Sequence, residues 1–186
     1  MRIKMGCSGS KSAERYTADD KGGGGGGSKP PAKKKVKEAN MASKGLKAFP
    51  KVPSDVTKLD LSENEELAGL DGLEALKSLQ SFDANSCALK KLDLPALESL
   101  EELLVYKNQI TEVTASLGGL TALTTLNLFN NKIRKLPTEL GSLNQLVEVN
   151  AAANKLMMLT DAHFAGWANV TSLQLSDNNL VRMGSL

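Results

Sequence analysis

Few side chains in this 186-residue sequence could carry covalent or acid–base chemistry: the two cysteines, Cys7 and Cys87, and the single histidine, His163. A cysteine nucleophile needs a base within hydrogen-bond reach to draw off its proton. A zinc site needs four converging ligands, and one His with two distant Cys cannot supply them. Phosphate chemistry would need G-x-x-x-x-G-K-[ST], or G-x-G-x-x-G between a strand and a helix. Neither motif occurs; the run Gly22 to Gly27 has no helical pattern behind it and reads as a flexible linker. Asn169-Val170-Thr171 is a glycosylation sequon, but no apolar signal segment begins the chain, so it reads as an ordinary Asn. The chain reads as a non-enzyme with no cofactor and no metal.

Two modification or targeting patterns lie near the N-terminus. Met5-Gly6-Cys7-Ser8-Gly9-Ser10 follows the N-myristoylation pattern M-G-x-x-x-[ST], with Cys7 placed for palmitate. Two acyl chains hold a protein on a membrane, where one gives only marginal binding. This use of Gly6 requires translation to begin at Met5 instead of Met1. Pro30-Pro31-Ala32-Lys33-Lys34-Lys35-Val36-Lys37 reads as a solvated charge run, a short nuclear import signal or a polybasic patch for anionic lipid. Met41 offers a third start that would omit both patterns.

The residues that recur at fixed spacing are not reactive ones. Leu123 to Leu136, LTTLNLFNNKIRKL, fits the template L-x-x-L-x-L-x-x-N-x-L-x-x-L at every fixed position, with Asn131 supplying the amide. The pattern also starts at Val56, Leu79, Leu100, Leu146 and Val170, with successive offsets of 23, 21, 23, 23 and 24 across the six units. The unit at Val56 carries one extra residue after Asn64, and Cys87 replaces the asparagine in the unit at Leu79. A near-constant period of this length with this signature identifies a leucine-rich repeat. Alternating leucines in x-L-x-L-x make a short strand whose leucines face inward. The Asn lies where the chain turns, and its amide can satisfy backbone groups of adjacent coils. The outer halves, as in Leu136-Pro137-x-x-Leu140-x-x-Leu143-x-x-Leu146, suit short 3-10 or α turns on the convex side. Phe164 and Trp167 take those places in the fifth unit and read as convex core.

The resemblance is to the leucine-rich repeat superfamily and covers about residues 46–186. The 23-residue units with K-L-P-x-x-L-x-x-L resemble the intracellular class found in Ras-pathway scaffolds, and the irregular early units are similar to phosphatase-regulating repeats. The implied fold is an α/β solenoid: a right-handed coil with a parallel concave sheet and short turns outside. Residues 42–55, with Leu46, Phe49, Val52 and Pro53, look like the back half of a repeat whose strand is missing, capping six repeats over 56–186. No polar cap follows Met183, so the chain reads as a fragment or as an end covered by a partner. Within this coil Cys87 and His163 fall in repeats two and five, roughly 14 Å apart along the sheet, which argues against a dyad.

Residues 1–41 form a Gly/Lys/Ser-rich tail without a single Leu, unable to bury enough apolar surface to order itself. Charge divides along the same line. Residues 1–54 hold 13 Lys/Arg against 4 Asp/Glu, and residues 55–186 hold 10 against 17. An acidic body argues against nucleic acid as its ligand. No apolar run approaches the roughly 18 residues of a membrane span, so membrane contact is expected through the tail only. Two cysteines make no disulfide framework, which fits a reducing, cytoplasmic compartment, with acyl-anchored membrane or nucleus as alternatives.

Binding is expected on the outward residues of the concave strands. One column reads Asp60, Asp83, Leu104, Asn127, Asn150 and Gln174; the next reads Ser62, Asn85, Tyr106, Phe129, Ala152 and Ser176. Leu104, Tyr106 and Phe129 form an expected apolar patch rimmed by Glu101, Glu102, Lys107 and Glu148. Aromatic residues in a polar rim are what interaction hot spots look like. The expected function is a protein-interaction scaffold, with a nuclear regulator or a lipid-anchored adaptor as alternatives, and the nearby acid favours a basic partner.

Overall fold

A computed structural model describes residues 37–184. Short strands lie at β1 Glu38–Asn40, β2 Lys58–Asp60, β3 Ser81–Asp83, β4 Lys91–Leu92, β5 Glu102–Leu104, β6 Glu112–Val113, β7 Thr125–Asn127, β8 Glu148–Asn150, β9 Met158–Leu159, β10 Ser172–Gln174 and β11 Arg182–Met183. Seven of them form one parallel sheet in the order β1–β2–β3–β5–β7–β8–β10. The central residue of each strand pairs with its neighbours in one row: Ala39, Leu59, Phe82, Leu103, Leu126, Val149 and Leu173. This row points inward, and Leu59, Phe82 and Leu103 have no solvent exposure at all. Full burial of a side chain of this size contributes about 1.5–3 kcal/mol, so the stacked rows are the main cohesive force. Outside the sheet the chain makes 3-10 turns at Leu73–Ala75, Ala115–Gly119 and Thr138–Ser142, and one short helix, α1, at Asp161–Phe164.

Asparagines follow five of the seven strands of the sheet and form a ladder that Cys87 interrupts after β3. Asn131 Nδ2 donates to Leu128 O in its own coil (3.0 Å) and to Val105 O in the preceding one (3.0 Å), while its Oδ1 accepts from Ile110 N–H (3.0 Å). Asn108, Asn154 and Asn178 repeat this arrangement, and Asn64 uses it to hold Met41 O, Lys44 N–H and Leu46 N–H. Just ahead of each ladder position one residue takes the left-handed backbone conformation: Glu63, Ser86, Lys107, Asn130, Ala153 and Asp177, all with φ between 53° and 58°.

Cys87 stands in the ladder and donates to Leu61 O (3.3 Å) as an asparagine would. A thiol accepts poorly, so the amide that an Asn would receive needs another partner. The extra residue after Asn64 provides it: the longer turn directs Leu67 N–H to Asn64 O (2.9 Å). The two irregularities of the sequence therefore compensate one another.

The residues expected to cap a missing strand belong instead to a complete coil. β1 pairs with β2, Ser43 repeats the left-handed turn at φ 53°, and Ala39, Met41, Leu46, Phe49 and Val52 pack against the core. Glu38-Ala39-Asn40 has no apolar alternation; its strand forms because β2 offers an edge, with Thr57 and Lys58 N–H both donating to Lys37 O. Phe49 packs under Gly72, whose φ of 109° and whose missing Cβ, 3.0 Å from the ring, both favour glycine there.

On the convex side α1 packs against the turn at Thr138–Ser142. Their approach depends on Gly141, where a Cβ would sit 1.9 Å from Ala162 O. Leu173, Leu175 and Leu180 in the last described coil are only partly buried, unlike their counterparts in earlier coils.

An Asn131→Cys substitution tests the compensation. Ile110 N–H has no lengthened turn to bond to, so the variant should lose about 1–3 kcal/mol, the cost of one buried orphan. Urea unfolding of the variant against the parent protein measures it.

Candidate functional site

The concave face is read off the strand register. Its middle column runs Asn40, Asp60, Asp83, Leu104, Asn127, Asn150, Gln174, with each residue directly beside the next. The column at the start of the strands runs Glu38, Lys58, Ser81, Glu102, Thr125, Glu148, Ser172. The structure thus brings Asp60, Asp83, Glu102, Leu104, Asn127 and Asn150 onto one surface.

Most of the middle column does a local job as well. The side-chain oxygens of Asn40, Asp60, Asp83, Asn127 and Asn150 each accept from the backbone N–H two residues on, at 2.9–3.1 Å. This Asx turn closes the strand and leads into the ladder. Asn performs it as well as Asp. The turn therefore accounts for an amide or a carboxylate at these places, but not for two adjacent carboxylates, nor for Leu104, which has no acceptor to offer.

The carboxylate at Asp83 carries a cost. Burial pushes the Asp83 carboxyl above the ordinary carboxylate range, and the charges of Asp60 and Glu102 push the same way; hydrogen bonds from Asn85 oppose them only in part. Glu102 accepts from Ser81 Oγ (2.6 Å) and Glu63 from Ser43 Oγ (2.6 Å). Among the described residues none of Asp60, Glu63, Asp83 and Glu102 forms an ion pair. The Tyr106 hydroxyl is raised by burial and by Asp83, Asp60 and Glu63, so the ring lies within the field of the acidic cluster.

The next column is less open than a simple alternation implies. Leu104, Tyr106 and Phe129 are half-buried, and Asn85 and Ala152 are buried, because the chain already curls inward past the strand. Lys107 stands on the left-handed turn at φ 54°, exposed at the rim and outside the strand column. Among the described residues the large apolar side chains that are exposed lie elsewhere: Val147, Met157, Met158, Val181 and Met183. The repeat template assigns Met157, Met158 and Val181 to variable positions, and only the absence of a polar residue there could have flagged them.

Cys87 and His163 are not brought together. Cys87 is buried in the ladder, and burial raises its thiol, which favours the protonated form. His163 is buried in the convex layer, where Nδ1 accepts from Thr160 N–H (3.0 Å) and Nε2–H donates to Leu136 O (3.0 Å). Trp167 Nε1 donates to Leu140 O (2.9 Å), and its ring meets Phe164 edge-on at 5.5 Å. Both aromatics are convex core. Gly6, Cys7 and the basic run through Val36 lie outside the described residues; Lys37, the last of that run, pairs with Asp55.

Comparisons with known proteins agree with this architecture. Residues 98–145 match the family described as Leucine Rich repeats (2 copies). Among solved structures the chain is similar to the Leptospira interrogans LRR protein LIC12759 (25% identity, 69% of this chain and 42% of that one, TM-score 0.53). It is also similar to the functional domain of InlJ from Listeria monocytogenes (19%, 76% and 34%, TM-score 0.58), and to TLR13 in its complex with ssRNA13 (22%, 69% and 23%, TM-score 0.53). The chain spans less than half the length of each of these three. No curated protein matches the sequence. Ladder, sheet and comparisons agree on a leucine-rich repeat fold, with the repeat family itself matched over residues 98–145; this fold generally serves as a protein-interaction module.

Asp83→Asn separates the electrostatic cost from the turn. The folded protein holds the Asp83 proton more tightly than the unfolded chain, so ionised Asp83 disfavours folding, and this penalty fades as pH falls through the raised pKa. The variant keeps the Asx acceptor. It should be more stable than the parent at neutral pH, with the difference shrinking under mildly acidic conditions, as read from urea midpoints.

Proposed function

We propose that this protein is an interaction scaffold that holds a basic polypeptide segment against strands β2, β3, β5, β7 and β8 of its concave face. The observation that carries the reading is the pair Asp60 and Asp83. They occupy turn positions where Asn serves equally well in three other coils, yet they place adjacent charge there without an ion-pair partner among the described residues, and at Asp83 burial and its acidic neighbours make that charge costly. Such departures from local optimum are expected at functional sites. A Lys or Arg from a partner would relieve the repulsion, with Asp60, Asp83 and Glu102 as its acceptors.

Beside the acid, Leu104 interrupts the Asx column, and Tyr106 and Phe129 flank it. These three would seat an apolar side chain of the partner, and being half-buried already they lose little freedom on binding. Asn127 and Asn150 would offer amides further along, and Lys107 at the rim would select against a second basic group. The cytoplasm is the compartment this reading implies. Acylation at Gly6 and Cys7, or import through Lys33 to Lys37, would decide location without altering the concave face.

The test is affinity capture with the full chain, comparing the parent with Asp60→Asn/Asp83→Asn and with Tyr106→Ala/Phe129→Ala. The first pair keeps both turns and should remove salt-sensitive partners; the second should weaken the same partners at least about tenfold. Partners recovered equally by all three proteins, with matching circular dichroism, would refute the concave site.

A further inference from the structure

A second surface has the opposite character. After each ladder position the chain descends toward the convex side, and the described coils stack there as they do in the sheet. Three consecutive six-residue segments, 131–136, 154–159 and 178–183, read NKIRKL, NKLMML and NNLVRM. Ile133 O accepts from Lys155 N–H (2.9 Å), Met157 O accepts from Val181 N–H (3.0 Å), and Met158 pairs in register with Arg182. The same spacing sets Arg134 and Lys135 one rung before Met157 and Met158.

Lys132, Arg134, Lys135, Lys155 and Arg182 are all exposed, and none forms an ion pair with a described residue. No carboxylate and no aromatic residue occurs in the three segments. Among these cations Met157, Met158 and Val181 stand out at 52%, 45% and 84% exposure. Within these three segments the charge is therefore all cationic, with unbranched or small aliphatic side chains projecting among it, on a body whose net charge is negative; the exposed acid of the rung before, Glu112, pairs with Lys91.

We infer that this flank docks on the surface of an anionic phospholipid bilayer. Cationic side chains near such a surface each raise partitioning roughly fivefold. Lys and Arg keep their heads among the phosphates while their stems lie along apolar surface. Met157, Met158 and Val181 then enter the boundary between headgroups and acyl chains, as the apolar face of an interfacial segment does. A polyanion such as nucleic acid would neutralise the cations equally well but gives the methionines and valine nothing to enter. Docked this way, the acidic concave face of the N-terminal coils is a separate surface, so lipid and a basic partner need not compete.

Flotation of the full, unacylated chain with phosphatidylcholine vesicles, with and without phosphatidylserine, tests the inference. Binding is expected only with phosphatidylserine. Arg134→Gln/Lys135→Gln should weaken it roughly 30-fold, and Met157→Ser/Val181→Ser roughly tenfold at unchanged charge. A nitrobenzoxadiazole probe at Met157→Cys, in a Cys7→Ser background, should shift to the blue on the same vesicles. Equal binding to both vesicle types, loss of binding only when Lys33, Lys34 and Lys35 are neutralised, or DNA binding without a probe shift on vesicles would each overturn it. Loss of partner capture by the concave variants leaves these readings unaffected.

Discussion

The fold depends on one interaction repeated from coil to coil: an asparagine amide that ties the turn after each strand to the turn before it. Stacked leucines supply cohesion, but they would tolerate slippage between coils. The amide does not, because its nitrogen must meet one carbonyl in its own coil and one in the preceding coil while its oxygen meets one N–H of the preceding coil. The left-handed residue just ahead of it is the backbone's response to that demand, adopted even by Ala153 and Lys107, which have no intrinsic preference for it. Where the ladder weakens at Cys87, the neighbouring turn lengthens by one residue and the same N–H finds a carbonyl.

Once the ladder and the inward rows are fixed, the outward residues owe the fold little beyond the Asx turns, and their charges segregate. The concave strands of the first coils collect carboxylates; the descending flank of the last coils collects lysine and arginine. Neither set contributes to the core. The Asx turn shows the distinction within single residues. Its oxygen belongs to the fold, while the choice of carboxylate over amide at Asp60 and Asp83 is not required by the turn.

The convex layer follows a different rule. Gly141 allows the Thr138–Ser142 turn and α1 to approach as backbone against backbone, and His163 and Trp167 then bridge between coils by donating to Leu136 and Leu140 carbonyls. These polar aromatics do in the outer layer what asparagine does in the inner one. They are bonded and buried, and that explains their presence without invoking chemistry.

The amino-acid sequence by itself determined the solenoid, the strand register and the concave columns, because leucine spacing and side-chain alternation are local properties that each repeat restates. It could not reveal the strand at Glu38–Asn40, whose residues are unremarkable and become a strand only through the edge that β2 presents. Nor could it reveal how far Tyr106 and Phe129 sink into the face, since that depends on the curl of the chain past each strand. The cationic flank likewise exists only after folding: its five charges are scattered over 51 residues of sequence, from Lys132 to Arg182. Stacking at one strand spacing per coil makes them neighbours.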